Sequence, residues 1–280
     1  LTSPSSDLSE PSIDLSEKNI HDSVLQMIFV VCHPSISAEA QISLALRVLC
    51  GFGIDEIAAA FLVNKETVHK RLFRAKEKLR EAGIQMEIPG ETHIESRLDN
   101  VMTILYLLFN EGYYSVSQNR TIRKDLCLEA IRLGSLLIEN KNTNLPAVNA
   151  LMSLMCFHIS RFEARIDKNG ELILYEDQDT ALWNPDWIHK GGYFLHQASR
   201  GQKISKYHLE AGIAYWHTQK TDDNEKWEAI LQLYNQLLQL EYSPVAALNR
   251  TYALSRVKGP EQRLQAIEEA KKLNLVDNQF

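Results

Sequence analysis

The feature that most limits the fold is a long succession of segments in which apolar residues recur at helical spacing. Leu126, Ala130, Leu133 and Leu137, for example, would share one face of a helix. Leu, Ala, Glu and Lys dominate these segments, and the 280 residues include only 12 Gly and 8 Pro. These residues favour helices and rarely interrupt them. We therefore predict an all-α protein.

The carboxy-terminal two thirds of the chain carries most of this periodicity. It predicts helices at residues 94–109, 124–139, 147–159, 185–199, 206–217, 224–240, 245–257 and 260–273. The exception is residues 167–175, where Asn169-Gly170 followed by ELILY predicts a turn and a short strand.

An internal repeat predicts how these helices are arranged. Pro146 and Ala150-Leu151 in one helix–loop–helix stretch correspond to Pro244 and Ala247-Leu248 in another. Helix pairs that repeat in this way stack as helical hairpins. Residues 227–272 resemble tetratricopeptide repeat units in a degenerate form. We expect a tetratricopeptide-like domain, whose concave surface is also the expected site of a regulatory protein partner.

Residues 51–80 predict a helix-turn-helix. A short helix at 54–62, a turn at Val63-Asn64 and a longer helix at 65–82 follow one another closely, and Gly83 ends the last. The residues expected to face inwards are Ile57, Ala58, Val63, Val68 and Leu72. In this motif the second helix enters the major groove of DNA.

The charge of the second helix agrees with DNA binding. Seven Lys or Arg and two Glu give residues 65–80 a charge of +5, which leaves −11 for the rest of a chain whose net charge is −6. The negative net charge excludes a globally basic nucleic-acid binder. The basic helix nevertheless concentrates the attraction for DNA phosphates on one face of the protein. The alternative is a basic helix that is merely solvated.

These residues also carry a family resemblance. EIAAAFLVNKETVHKRLFRAKEKLR resembles region 4 of bacterial sigma factors, which reads the promoter −35 element. IFVVCHPSISAEAQISLALRVLCGFG resembles the start of region 4 in extracytoplasmic-function (ECF) sigma factors that carry a tetratricopeptide-like C-terminal extension. The stretches that resemble this extension are LYLLFNEGYYS, DLCLEAIRLGSLL, GELILYEDQDTALWN and SPVAALNRTYAL.

The resemblance covers about residues 20–275 and implies promoter recognition in transcription initiation. It implies the RNA polymerase core as partner, with region 4 docked on the β-subunit flap, and no catalysis by this chain. Region 2 of such factors is not in the sequence. We therefore expect this polypeptide to recognise DNA without initiating transcription alone.

The resemblance and helix geometry place the base-facing residues early in the second helix. They are Lys65, Glu66, Thr67, Lys70 and Arg71. Glu66 would accept a hydrogen bond from a cytosine amino group, and Arg71 would pair with guanine. Arg74 and Lys78 are expected at phosphates, and His69 belongs to the interface without a defined role.

The expected domains are a linker, a DNA-binding domain and a helical domain. Residues 1–17 hold six Ser, two Pro, four acids and no basic residue, a composition typical of disorder. We predict a disordered linker at 1–19, region 4 at 20–88 and the tetratricopeptide-like domain at 89–280, with Pro89-Gly90 marking the boundary. The chain is expected to begin inside the linker that would join region 2.

Other features point away from metal, cofactor and membrane. The four cysteines are far apart, which is typical of reduced thiols and predicts a cytoplasmic protein. The apolar run at 101–109 is too short to span a membrane. Cys32-His33 and the Asp167–Asn169 turn lack the further ligands that a metal site needs. We expect no metal, no cofactor and no enzyme activity.

Two alternatives remain open. The chain could be a non-sigma helix-turn-helix transcriptional regulator whose helical repeats sense a small molecule or a partner. An enzyme in the helical half would instead need titratable groups clustered in a deep pocket. The segment 175–179 beside Trp183 either binds a ligand or partner, or is a capped, solvated connection.

Overall fold

The structure is a computed structural model that describes residues 17–114, 120–167, 171–257 and 259–273. Within these ranges the chain is all-α, as predicted, and forms no strand. The helices are α1 (Glu17–Val31), α2 (Ala38–Leu44), α3 (Ile54–Ala60), α4 (Lys65–Glu81), α5 (Glu91–Tyr114), α6 (Arg120–Glu139), α7 (Pro146–Ser160), α8 (Pro185–Ala198), α9 (Lys206–Thr218), α10 (Asn224–Leu240), α11 (Pro244–Arg256) and α12 (Pro260–Lys272).

Most helix bounds lie within a few residues of those predicted, because local signals define them. Proline occupies the first turn of α7, α8, α11 and α12, where its missing N–H is not needed. Three predicted ends differ. Helix α6 begins at Arg120, four residues before its predicted start. Helix α5 continues through Gly112 to Tyr114, and α1 begins at Glu17, three residues inside the predicted linker. The remainder of that linker lies outside the described residues.

The strand predicted at 171–175 is wrong. The structure has one antiparallel bridge between Ile166 and Leu172, followed by a short 3-10 turn at Tyr175–Asp177. The Asn169-Gly170 turn lies outside the described residues. Leu172 and Leu174 remain largely exposed to solvent, so the alternation of apolar residues does not reflect a buried sheet face.

One hydrophobic core spans the amino-terminal part (α1–α4) and helices α5–α9 of the carboxy-terminal part (α5–α12). A second cluster of buried apolar residues is formed by α9, α10 and α11. Helix α5 packs against α1 and α2, and α6 packs against α1 and α3. The predicted boundary at residue 88/89 falls in the irregular segment between α4 and α5. Whether it separates two units that fold independently stays a prediction.

Side chains of the carboxy-terminal part also bond to backbone of the amino-terminal part. Arg97 Nη2 donates to the carbonyl oxygen of Phe29 at 2.6 Å, and Arg132 Nη2 donates to that of Leu49 at 2.8 Å. Asn100 donates to the carbonyl of Cys32 and, at 2.9 Å, to Oε1 of the buried Gln41. These contacts orient the first four helices on α5 and α6.

Helices α7–α12 pack mostly on helices that are close to them along the chain. Helix α7 packs on α8 and α9, α10 packs on α9 and α11, and α11 packs on α12. A Cβ atom on Gly191 would lie 2.6 Å from the Phe157 ring, so glycine is needed where α8 crosses α7. No helix in the part of the chain that the structure describes is long and apolar enough to cross a membrane.

Candidate nucleic-acid interface

Helices α3 and α4 are joined by a tight turn that closes the first helix. The N–H of Leu62 bonds to the carbonyl of Ala59 at 3.4 Å, and the N–H of Val63 bonds to that of Ala58 at 3.0 Å. This is a Schellman motif. Its left-handed position, usually glycine, is occupied by Leu62 with φ 51°.

Asn64, at the end of the turn, caps the start of α4. Asn64 Oδ1 accepts hydrogen bonds at 2.8 Å from both the backbone N–H and the hydroxyl of Thr67. This is an N-cap, which satisfies an N–H group that the helix itself cannot pair. The local sequence therefore determines where α4 starts.

The inner face of α4 packs against α2 and α3 as predicted. Val68 and Leu72 are buried, together with Ala75 one turn later. On α3, Ile57 and Ala58 are buried as well, and Val63 in the turn is half-buried. These contacts confirm the helix-turn-helix, and they leave the opposite side of α4 to solvent.

The exposed side of α4 carries most of the predicted DNA-binding residues. Those with exposed side chains are Lys65, Glu66, His69, Lys70, Arg74 and Lys78. Thr67 and Arg71 are half-buried. The amino-terminal part contacts α5 and α6 through α1, α2 and α3, so no described element covers the exposed side of α4.

Three predicted base readers form ion pairs within the protein. Lys65 Nζ lies 2.8 Å from Oδ1 of Asp55 on α3, and Lys70 Nζ lies 2.7 Å from Oε1 of Glu66. All four side chains are at least 63% exposed, so these ion pairs are screened by water and are worth at most about 1 kcal/mol. The side chains can therefore leave these ion pairs at low cost.

Arg71 turns back toward the protein. Its Nη1 lies 3.4 Å from Ser43 Oγ on α2, and its guanidinium carbon lies 5.9 Å from the centre of the Phe61 ring. The hydrogen bond is long and the ring is at the limit of a cation–π contact, so both interactions are weak. Arg71 can therefore leave this position at little cost.

Sequence reasoning missed a second basic flank of α4. Because residues three and four apart lie on one face of a helix, Arg71, Arg74 and Lys78 line one flank. The other flank holds Lys65, His69, Lys76 and Arg80, all exposed. Lys76 and Arg80 were visible in the sequence as charges, but only helical spacing assigns them to a separate side.

An exposed aromatic residue lies between the two flanks. Phe73 is 63% exposed at the centre of the outer face, beside Lys70 and Glu77. A large apolar side chain in such a charged setting is often part of a binding surface. The sequence could have indicated this exposure, because Phe73 falls outside the helical stripe formed by Val68, Leu72 and Ala75.

Comparison with known proteins defines this domain. Residues 27–79 match the family model described as sigma-70, region 4. The chain therefore contains a sigma-70 region 4 domain, a helix-turn-helix DNA-binding domain of transcription factors. Residues 97–199 match a family of unknown function (DUF6596).

A longer relative matches most of the chain. It is an uncharacterized protein, R00370, from Rhizobium meliloti (strain 1021), with 38% identity over 248 residues. The match includes 88% of this chain and 58% of the relative, so the chain spans just over half of that protein's length. No solved structure matches the chain.

Proposed function

We propose that this chain is the part of an ECF-type sigma factor that recognises the promoter −35 element through α4. The observation that carries the proposal is the uncovered outer face of α4, with basic residues on both flanks and a sigma-70 region 4 match around it. The RNA polymerase core is the proposed partner, through its β-subunit flap. The tetratricopeptide-like part is proposed as a regulatory and interaction domain.

The two flanks of α4 and the outer face between them have different proposed roles. A helix that lies in the major groove faces base edges along its centre and a phosphate backbone on each side. We assign base contacts to Glu66 and Lys70 on the outer face, with Phe73 against a thymine methyl group. Lys65, Thr67 and Arg71 are also assigned base contacts, because the amino-terminal residues of such a helix reach base edges even from its flanks. Phosphate contacts fall to Arg74 and Lys78 on one flank and Lys76 and Arg80 on the other, with His69 beside them.

The experiment begins with selection of duplexes by the unaltered chain from a randomised pool. Fluorescence anisotropy then compares the selected duplex with a scrambled one. Arg71→Ala should weaken binding to the selected duplex about tenfold and reduce sequence preference, because it loses a guanine contact. Arg74→Ala and Lys76→Ala should weaken binding to both duplexes alike and lower the salt dependence by about one phosphate contact each.

Lys203→Ala is the matched control, since Lys203 is exposed in the carboxy-terminal part and outside this surface. An equal loss on both duplexes for Arg71→Ala would refute its role as a base reader. Normal DNA affinity for Lys76→Ala would refute the second flank.

A non-sigma transcriptional regulator is the second candidate function. The observation that favours it is the large cavity in the carboxy-terminal part, which is suited to sensing a ligand. Reconstitution of the chain with RNA polymerase core separates the two. Stable binding to core supports the sigma factor, and DNA binding without any affinity for core supports the regulator.

A further inference from the structure

The carboxy-terminal part contains a cavity of about 940 Å³ between α9, α10, α11 and the connection from α7 to α8. This volume is at the upper end of the range for small-molecule sites. Leu154, Ile213, Ala214 and Ile230 give it an apolar lining. Polar side chains also line it, and the charged ones are Arg161, Arg165, Lys206, Glu210 and Glu241.

Arg161 lies at one end and is only 7% exposed. Its guanidinium carbon lies 5.5 Å from the centre of the Tyr175 ring and 6.0 Å from that of Trp183. Among the residues that the structure describes, its Nε has no hydrogen-bond partner and no carboxylate forms an ion pair with its side chain. A buried cation without an opposite charge is costly unless a ligand supplies that charge.

The groups around Arg161 are also positive or neutral. Lys226, 1% exposed, donates to the Tyr175 hydroxyl at 2.9 Å and to the backbone carbonyl of Gln219 at 2.7 Å. Burial, Arg161 and Lys226 lower the pKa of His217 to about 3, which keeps its ring neutral. Glu176 and Asp222, on neighbouring segments, both pair with Arg256. This end of the cavity is therefore electropositive.

The opposite end is lined by Glu210, Glu241 and Lys206, and Lys206 Nζ lies 3.0 Å from Oε2 of Glu241, so Glu210 is the acid left without an ion pair there among the described residues. Glu210, Ile213, Ala214 and His217 all line the cavity from α9, and their spacing places Glu210 about 10 Å from His217 along the helix axis. Burial raises the pKa of Glu210 to about 6. A second anionic group on a ligand would be repelled here. The cavity therefore suits a molecule that is anionic at one end and apolar along its length.

We propose that this cavity binds a small amphipathic carboxylate, with its acid group on Arg161 and its apolar body between α9 and α10. The planar fork of a guanidinium group matches the two oxygens of a carboxylate. The site does not depend on DNA binding, and it gives the carboxy-terminal part a ligand class of its own. It also gives the segment around Tyr175 and Trp183 a role, because their rings hold Arg161 in place.

Calorimetric titration of the unaltered chain with decanoate and with decanamide tests the proposal. The two probes have the same apolar body and differ in charge, and work at pH 8 keeps Glu210 ionised. Decanoate should bind at least tenfold more tightly than decanamide, since only its head group forms a charge-assisted pair. Arg161→Gln should abolish that preference, and Arg161→Lys should retain part of it.

Arg200→Gln is the control, because Arg200 is an exposed arginine that does not line the cavity. Equal affinity of the unaltered chain for both probes, or no binding of decanoate at millimolar concentration, would overturn the proposal. An Arg161→Gln chain that melts normally and still prefers decanoate would overturn it as well. If Arg161→Gln does not fold, the comparison of the two probes on the unaltered chain still decides.

Discussion

Replacement of Asn100 by alanine tests the contact between the two parts of the molecule most directly. Asn100 lies on α5, and its Nδ2 donates both to the carbonyl of Cys32 at the end of α1 and to Oε1 of Gln41 on α2. Gln41 is 3% exposed, and its own Nε2 donates to the carbonyl of Ile36 at 2.7 Å. The substitution leaves two acceptors unpaired in this interface.

The expected loss follows from these groups. Each hydrogen bond contributes about 0.5–1.5 kcal/mol net, and a buried acceptor left unpaired costs about 1–3 kcal/mol. Asn100 itself is only half-buried, so water can reach part of the vacated space. We therefore expect the free energy of unfolding to fall by about 2–4 kcal/mol.

Urea denaturation followed by far-ultraviolet circular dichroism measures this loss. Asn249→Ala is the control, because Asn249 is an exposed asparagine on α11, and its substitution should change stability by less than about 0.5 kcal/mol. Gln41→Leu combined with Asn100→Leu should cost less than the sum of the single changes, because both partners are then removed. Equal stability of Asn100→Ala and Asn249→Ala would refute the reasoning.

Two further predictions concern backbone strain and acid stability. Leu62→Gly should stabilise the protein by about 0.5–1 kcal/mol, because Leu62 has φ 51° and is 66% exposed, whereas Gly83 holds the equivalent left-handed position after α4. A melting temperature that does not rise contradicts this. His217 has a folded pKa of about 3, below its ordinary 6.5, so the unfolded chain binds the extra proton and stability is lost as pH falls from 6.5 toward 3. His217→Gln should therefore gain stability relative to the unaltered chain on acidification from pH 7 to 4, and parallel pH profiles in urea denaturation would contradict this.

Much of the helical framework could be predicted because its signals are local. The cap at Asn64 and the inward spacing of Val68 and Leu72 depend on residues a few positions apart. Those signals were enough to predict the helix-turn-helix, and the composition of residues 65–80 was enough to predict the positive charge of α4. Local signals also failed where packing opposed them. Gly112 did not end α5, and the adjacent Tyr113 is buried. Within the described residues, the segment ELILY pairs with other backbone only through a single bridge and forms no strand.

The sequence by itself determined that the chain is helical and that one helix concentrates positive charge. Tertiary structure decided which charges face solvent, turned Arg71 toward Ser43, and brought Arg161 to the cavity that α9 and α10 line. The reason is that helical periodicity depends on residues three and four positions apart, so it can be recognised in the sequence. The environment of a buried cation depends instead on residues brought together from distant helices, and no spacing along the chain encodes it.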